Sequence, residues 1–343
     1  MSDSIEIGIK EQLALILGDA EALKPEASKA IPSPREIKSH LDEFVISQES
    51  AKRQISVAFH KHLVRKRAIA EKSEIVPKKS NVLLIGPTGC GKTFILQTLA
   101  KHFDLPFAIV DMAQMSQSGY VGSSITDIAK QLESVAKSKE EAEFGVVLLD
   151  EIDKLSSRGD SSNNVGHLSV QQELLKVVEG MDLAGLNTEN ILFVAAGAFL
   201  GEVHEDRVEV SKSMGFGGGD TAVRISVNDQ LVAYGLLPEL IGRFQIGAEL
   251  KPLTKEDMLD IMKKSKDSVL QNLIDTFALD GIDLTFTRGA LEAVADIAIE
   301  KGTGARALNS TLEATLRDIQ FEVLGEGGRK DPIKVTKKDV QEY

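Results

Sequence analysis

Eight residues carry the first chemical signal: Gly86-Pro87-Thr88-Gly89-Cys90-Gly91-Lys92-Thr93. They fit G-x-x-x-x-G-K-[ST], in which a glycine-rich backbone curls its N–H groups around phosphate oxygens. The helix expected to follow offers its positive N-terminus to the same anion. In this pattern Lys92 reaches the β and γ phosphates, and the Thr93 hydroxyl ligates Mg2+. A second signal is Val146-Val147-Leu148-Leu149-Asp150-Glu151-Ile152-Asp153, an apolar run ending in adjacent carboxylates. Alone, such a pair is more often a helix cap or a turn. Downstream of a phosphate loop it reads as Asp150 meeting Mg2+ and Glu151 polarising the attacking water. Together the two signals point to hydrolysis of ATP or GTP. Cys90, inside the loop and next to a helix start, is expected to favour thiolate.

These residues need rigid elements to place them. Val82–Ile85, Phe107–Val110, Val146–Leu149 and Ile191–Val194 are uninterrupted apolar runs, the pattern of strands covered on both faces. Helical spacing lies between them at 93–103, 124–136 and 169–178. The alternation predicts a doubly wound α/β domain with a parallel sheet. Before it, apolar residues at Ala51, Ile55, Ala58, Phe59 and Leu63 predict one helical face. Lys52, Arg53, Lys61, Arg65 and Arg67 would be its solvated side. Ile31-Pro32-Ser33-Pro34 reads as an extended linker after a short amphipathic stretch (Ile5, Ile9, Leu13, Leu17). After Pro252 the pattern turns helical, over 255–273, 288–301 and 305–324, with short strands at 283–286 and 333–335. The expected organisation is an N-terminal extension (1–36), a large α/β domain (37–253) and a smaller, mostly helical domain (254–343).

Bulk composition narrows the function classes. A net charge of −12 disfavours duplex DNA as main partner, because phosphate contact needs clustered Lys and Arg. One cysteine excludes an intramolecular disulfide and a four-cysteine zinc site. The longest apolar run, Ile191 to Leu200, falls short of the ~18 residues a membrane helix needs. The start, Met1-Ser2-Asp3-Ser4-Ile5-Glu6, lacks the basic segment of a secretion signal, so a cytoplasmic protein is expected.

Glutamate after the strand aspartate turns the reading from GTPase switches towards AAA+ motors, P-loop NTPases of doubly wound α/β fold. From about Leu41 to Lys330 the chain resembles the ClpX family of ATP-dependent protein unfoldases. Leu41-Asp42-Glu43-Phe44-Val45-Ile46-Ser47-Gln48-Glu49 is similar to the family's leading segment, which implies Val45 and Ile46 as adenine contacts. Gly119-Tyr120-Val121-Gly122 matches its pore loop, implying that Tyr120, with Val121, grips a threaded polypeptide. The stretch Leu237–Phe244 resembles the segment giving an arginine finger to the neighbouring subunit, here Arg243, which implies a ring, typically a hexamer. Gly302-Thr303-Gly304-Ala305-Arg306 resembles the second sensor, in which Arg306 meets the γ phosphate. Met214-Gly215-Phe216 is similar to the loop that docks on a ClpP-type peptidase.

The chain also departs from the pattern. Residues 1–40 hold no cysteine for the family's zinc domain, and the pore-entrance loop is reduced to Met181–Asn190 without Arg, Lys or His. The loop around Phe216 is short, and Phe193–Ala198 offers no Asn, Thr or Ser for a first sensor. The expected activity is ATP-driven unfolding and threading of protein substrates into a peptidase. The alternatives are a stand-alone remodeller of complexes or, against the charge balance, a DNA-associated motor.

Overall fold

The first element of the fold stands where the sequence reads as linker. In the computed structural model, which describes residues 30–115, 125–156, 164–199, 202–204, 208–211, 221–266, 268–323 and 332–340, helix α1 spans Pro34–Phe44. Ser33 caps it: its hydroxyl accepts from Glu36 N–H at 3.3 Å, and the Glu36 carboxylate accepts from Ser33 N–H at 2.7 Å. Pro34 occupies the first turn, where a missing N–H costs nothing. The second proline therefore starts a helix, which corrects the linker expectation at Ser33 and Pro34.

Helix α2 (Glu49–Ala70) buries Ala51, Ile55, Ala58 and Phe59 as its spacing requires. Its charged face is not wholly solvated, however. Lys52 is buried, with its amine 2.6 Å from Asp42 and 2.7 Å from Glu49, and it donates to the Val45 carbonyl at 3.2 Å. Arg65 bonds the Asn190 side chain and the Pro77 carbonyl. Both depart from the reading of this face as solvent-facing.

The central sheet holds five parallel strands: β1 (Asn81–Ile85), β2 (Phe107–Asp111), β3 (Val146–Asp150), β4 (Leu192–Gly197) and β5 (Phe244–Glu249). Their order is β2-β3-β4-β1-β5. Period-two alternation splits the strand residues between two cores. Val82, Leu84, Val146, Leu148, Val194 and Ala196 join α1, α2 and α3 (Lys92–His102) on one face. Leu83, Ile85, Val147, Leu149, Phe193 and Ala195 join α4 (Asp127–Val135) and α5 (Asn164–Glu179) on the other. The sheet is thus covered on both sides, as its apolar runs demand. Strand β5 has no such run. Its burial alternates along Phe244–Glu249 and it closes one edge, so it carries a weak sequence signal.

Beyond β5 the chain turns helical. Thr254 forms a capping box with Asp257 at the start of α6 (Lys255–Lys264). Ser268 caps α7 (Val269–Leu279), so the single helix expected over 255–273 is two. Helices α8 (Arg288–Glu300) and α9 (Ala305–Val323) follow, with a parallel strand pair Leu284–Phe286 and Ile333–Val335. These elements share apolar clusters separate from those around the sheet. Among the described residues no helix is long and apolar enough to cross a membrane.

Candidate functional site at the carboxyl ends of the strands

The phosphate loop leaves β1 at Gly86, whose N–H donates to Gly197 O at the end of β4 (3.2 Å). A β-carbon at Gly86 would lie 2.6 Å from Leu250 O, so the loop is held tight against the chain leaving β5. Gly91 is different. Its φ of +105° is a left-handed conformation, and a β-carbon there would meet nothing within 4 Å. The loop thus opens towards free space at the point where α3 begins. That helix start has no side-chain cap and no acidic residue in its first turn. Its unsatisfied N–H groups and positive dipole end suit an anion. Lys92, the first residue of α3, donates to Gly86 O at 2.6 Å and Pro87 O at 2.9 Å, which places its amine over the loop. Thr88 is exposed, and Pro87, Gly89 and Thr93 are half-buried.

Cys90 overturns the thiolate expectation. Its side chain is buried in the cluster with Val45, Ile95 and Leu250. Burial pushes the thiol pKa up, outweighing the pull of Lys92 and of nearby backbone N–H groups. The sulfur packs into the core, where the backbone N–H groups of Cys90 and Lys92 offset only part of the cost of burial.

Asp150 ends β3, and β4 lies between that strand and β1. At about 4.8 Å per strand, Asp150 and the loop's strand are roughly 10 Å apart. Its carboxylate accepts from Glu151 N–H at 3.0 Å. Glu151 is exposed and adopts φ +56°, a strained state for a non-glycine residue that costs about 1–3 kcal/mol. The chain turns there so that Ile152, Asp153 and Leu155 pack inward.

Asp153 is a residue that motif reading passes over. It is buried and accepts from Ala198 N–H at 3.3 Å. A β-carbon at Gly197 would lie 2.9 Å from Asp153 Oδ1 and 2.6 Å from the Phe199 ring. The end of β4 therefore has no room for a first-sensor side chain at Gly197, which gives a physical reason for the gap seen in the sequence.

The helical region reaches the loop through Gly302–Ala305. Ala305 N–H donates to Gly89 O at 3.0 Å. Added β-carbons at Gly89 and Gly304 would lie 2.0 Å from Thr303 O and 2.6 Å from Gly89 O, so the two backbones touch directly. Arg306, the next residue, is exposed at the start of α9. Val45 is buried in the cluster that holds Cys90, its carbonyl accepting from Lys52, and Ile46 is half-buried.

Arg243 stands elsewhere. It precedes β5, where Phe244 pairs with Asn81 at the start of β1. The five residues from Asn81 to Gly86, at about 3.3 Å each, put it roughly 17 Å from the loop, at the opposite end of the sheet. There its guanidinium pairs with Glu179 at the end of α5, and its carbonyl accepts from Asn81 at 3.1 Å. Tyr120, Val121, Met214, Gly215 and Phe216 lie outside the described residues. In sequence the last three fall between two paired antiparallel strands, Val208–Ser211 and Thr221–Arg224.

Comparison with known proteins agrees with this geometry. Residues 77–247 match the family described as AAA domain (Cdc48 subfamily), and residues 253–336 match the C-terminal, D2-small domain of ClpB protein. The chain is 39% identical to the ATP-dependent Clp protease ATP-binding subunit ClpX of Treponema denticola, over 90% of this chain and 81% of that protein. It is 35% identical to the protein of the same name from Borrelia duttonii, over 88% and 78% of the two chains. The protein is an ATPase with the P-loop NTPase fold, and it belongs to the ClpX family of Clp protease ATP-binding subunits within the AAA+ class.

Proposed function

We propose that the chain is a protein unfoldase that works as a ring, hydrolysing MgATP at the interfaces between copies and threading substrate proteins through a central pore. One observation carries the reading: Arg243 lies at the far end of the sheet from its own phosphate loop. An arginine finger so placed serves a neighbouring copy's site, so turnover needs a closed assembly, a hexamer in this family. The chain works as a large domain through Leu253 and a small domain from Thr254, joined across the loop by the Gly89 contact.

The loop suits a nucleotide because its open glycine corner and uncapped helix start are anion-binding features. Thr93 and Asp150 would hold Mg2+, which supplies positive charge to the phosphates when bound. Mg2+ usually takes only one or two protein carboxylates beside phosphates and water, so this donor pair is sufficient. Glu151 orients and deprotonates water, Lys92 and Arg306 stabilise phosphate charge, and Val45 and Ile46 flank the base. Tyr120 and Val121 grip the substrate. Met214-Gly215-Phe216 dock on a ClpP-type peptidase; the relatives' name, a Clp protease subunit, supports a peptidase partner.

The test supplies purified protein with ATP and a stable fluorescent substrate, with and without the peptidase. Tyr120→Ala should keep ATPase activity and lose unfolding, and Glu151→Gln should lose both. Phe216→Ala should lose degradation alone; unfolding by the unaltered chain with no degradation when the peptidase is present marks a stand-alone remodeller instead. A Tyr120→Ala variant that unfolds substrate at the unaltered rate overturns the threading reading.

A further inference from the structure

Ser47 and Gln48 are adjacent non-glycine residues in left-handed conformations, with φ of +57° and +59°. Such a pair persists only where its surroundings hold it, and here the side chains do so. Gln48 is buried, and its carboxamide is spent on backbone alone. The NH2 group donates to Lys251 O at 2.8 Å and, more distantly, to Cys90 O in the phosphate loop at 3.4 Å. The amide oxygen accepts from Lys251 N–H at 2.9 Å. With Lys251 it closes the two-bond ring that neighbouring strand residues make.

Lys251 is the junction. It follows Leu250, whose N–H makes the last bond from the edge strand region to Ile85 O (2.7 Å), and it precedes the Thr254 cap of α6. Ser47 donates in turn to Asp257, the carboxylate of that cap. The dipeptide therefore touches the loop, the junction and the first helix beyond it.

We propose that Gln48 is a positioning residue that couples the phosphate loop to the interdomain junction, transmitting occupancy of the loop from Cys90 O to the Lys251 backbone. The inference rests on the reading that nucleotide occupies this loop. Hydrogen exchange with ADP as probe separates the two. In the unaltered chain, ADP should slow exchange of the 86–93 amides and change the rate at Lys251 by about tenfold or more. In Gln48→Leu the loop amides should still be protected while the Lys251 response disappears. Gln48→Glu keeps the acceptor for Lys251 N–H but loses the donors to Cys90 O and to Lys251 O. Because the Lys251 N–H keeps its acceptor, its basal protection should exceed that of Gln48→Leu while the response to ADP stays lost, a separation that a merely structural role does not produce. Failure of ADP to protect the loop sinks the nucleotide reading. A protected loop with an unresponsive Lys251 in the unaltered chain, or an unchanged response in either variant, overturns the coupling. The unaltered chain and Gln48→Glu decide the matter if Gln48→Leu does not fold.

Discussion

Gly304 lies so close to Gly89 that a β-carbon added to it would fall 2.6 Å from the Gly89 carbonyl oxygen and 2.7 Å from its carbonyl carbon. Those atoms are backbone and cannot rotate aside. The close approach is what lets Ala305 N–H reach Gly89 O, so main chain of the helical region meets main chain of the phosphate loop.

Gly304→Ala should therefore fold but open this contact. Gly302 supplies the control: its φ is +65° against +57° at Gly304, yet a β-carbon there meets nothing within 4 Å. Both variants bear the left-handed cost of about 1–2 kcal/mol, and each should lower Tm by a few degrees. Gly304→Ala alone should lose ATPase activity by at least about tenfold, roughly 1.4 kcal/mol of lost transition-state stabilisation. Equal ATPase rates in the two variants would show that the contact does not matter to turnover.

His62 makes a separate prediction about acid stability. Burial in α2 pushes its pKa down to about 4, and a ring nitrogen sits 2.9 Å from Phe144 O. The folded chain holds the ring neutral where the unfolded chain, near the ordinary 6.5, takes up a proton. The unfolded state thus binds more protons between about pH 6.5 and 4, and stability falls as pH drops through that window. The ceiling is about 3 kcal/mol. His62→Gln keeps a donor for Phe144 O and cannot titrate. Denaturant midpoints measured between pH 7 and 4 should slope less steeply in that variant; parallel curves would assign the acid sensitivity to other groups.

Where the chain's purpose is local, its sequence was readable. The phosphate loop and the acidic strand end are contiguous, and three of the five sheet strands are apolar runs because both their faces are covered, whereas the edge strand Phe107–Asp111 leaves Ile109 exposed. The rest depends on partners distant in sequence. Pro34 reads as a breaker until Ser33 and Glu36 are seen to cap a helix around it. Lys52 reads as solvated until Asp42 comes to meet it. Asp153 and Gln48 bond only to backbone from other segments, a use of side chains that leaves no spacing pattern. Cys90 shows the opposite failure: its position in the loop was plain, but the direction of its sulfur was set by the packing of Val45 and Leu250.

The assembly is tested most directly by two inactive variants. Lys92→Ala removes the phosphate-loop amine, and Arg243→Ala removes the guanidinium at the other end of the sheet, paired in cis with Glu179. Each alone should lower ATPase activity by about a hundredfold or more, the scale of losing one charge that stabilises phosphoryl transfer. If Arg243 serves its own loop, mixing the two proteins recovers nothing, because no subunit carries both groups. If it serves a neighbour, an Arg243→Ala subunit with an intact loop can face a Lys92→Ala subunit with an intact arginine. Mixed assemblies should then regain a substantial share of the rate, greatest near equimolar ratio and dependent on total protein concentration. A mixture no faster than its components, under conditions where subunit exchange is seen by energy transfer between labels, would place the arginine's work within one chain and remove the reason for a ring.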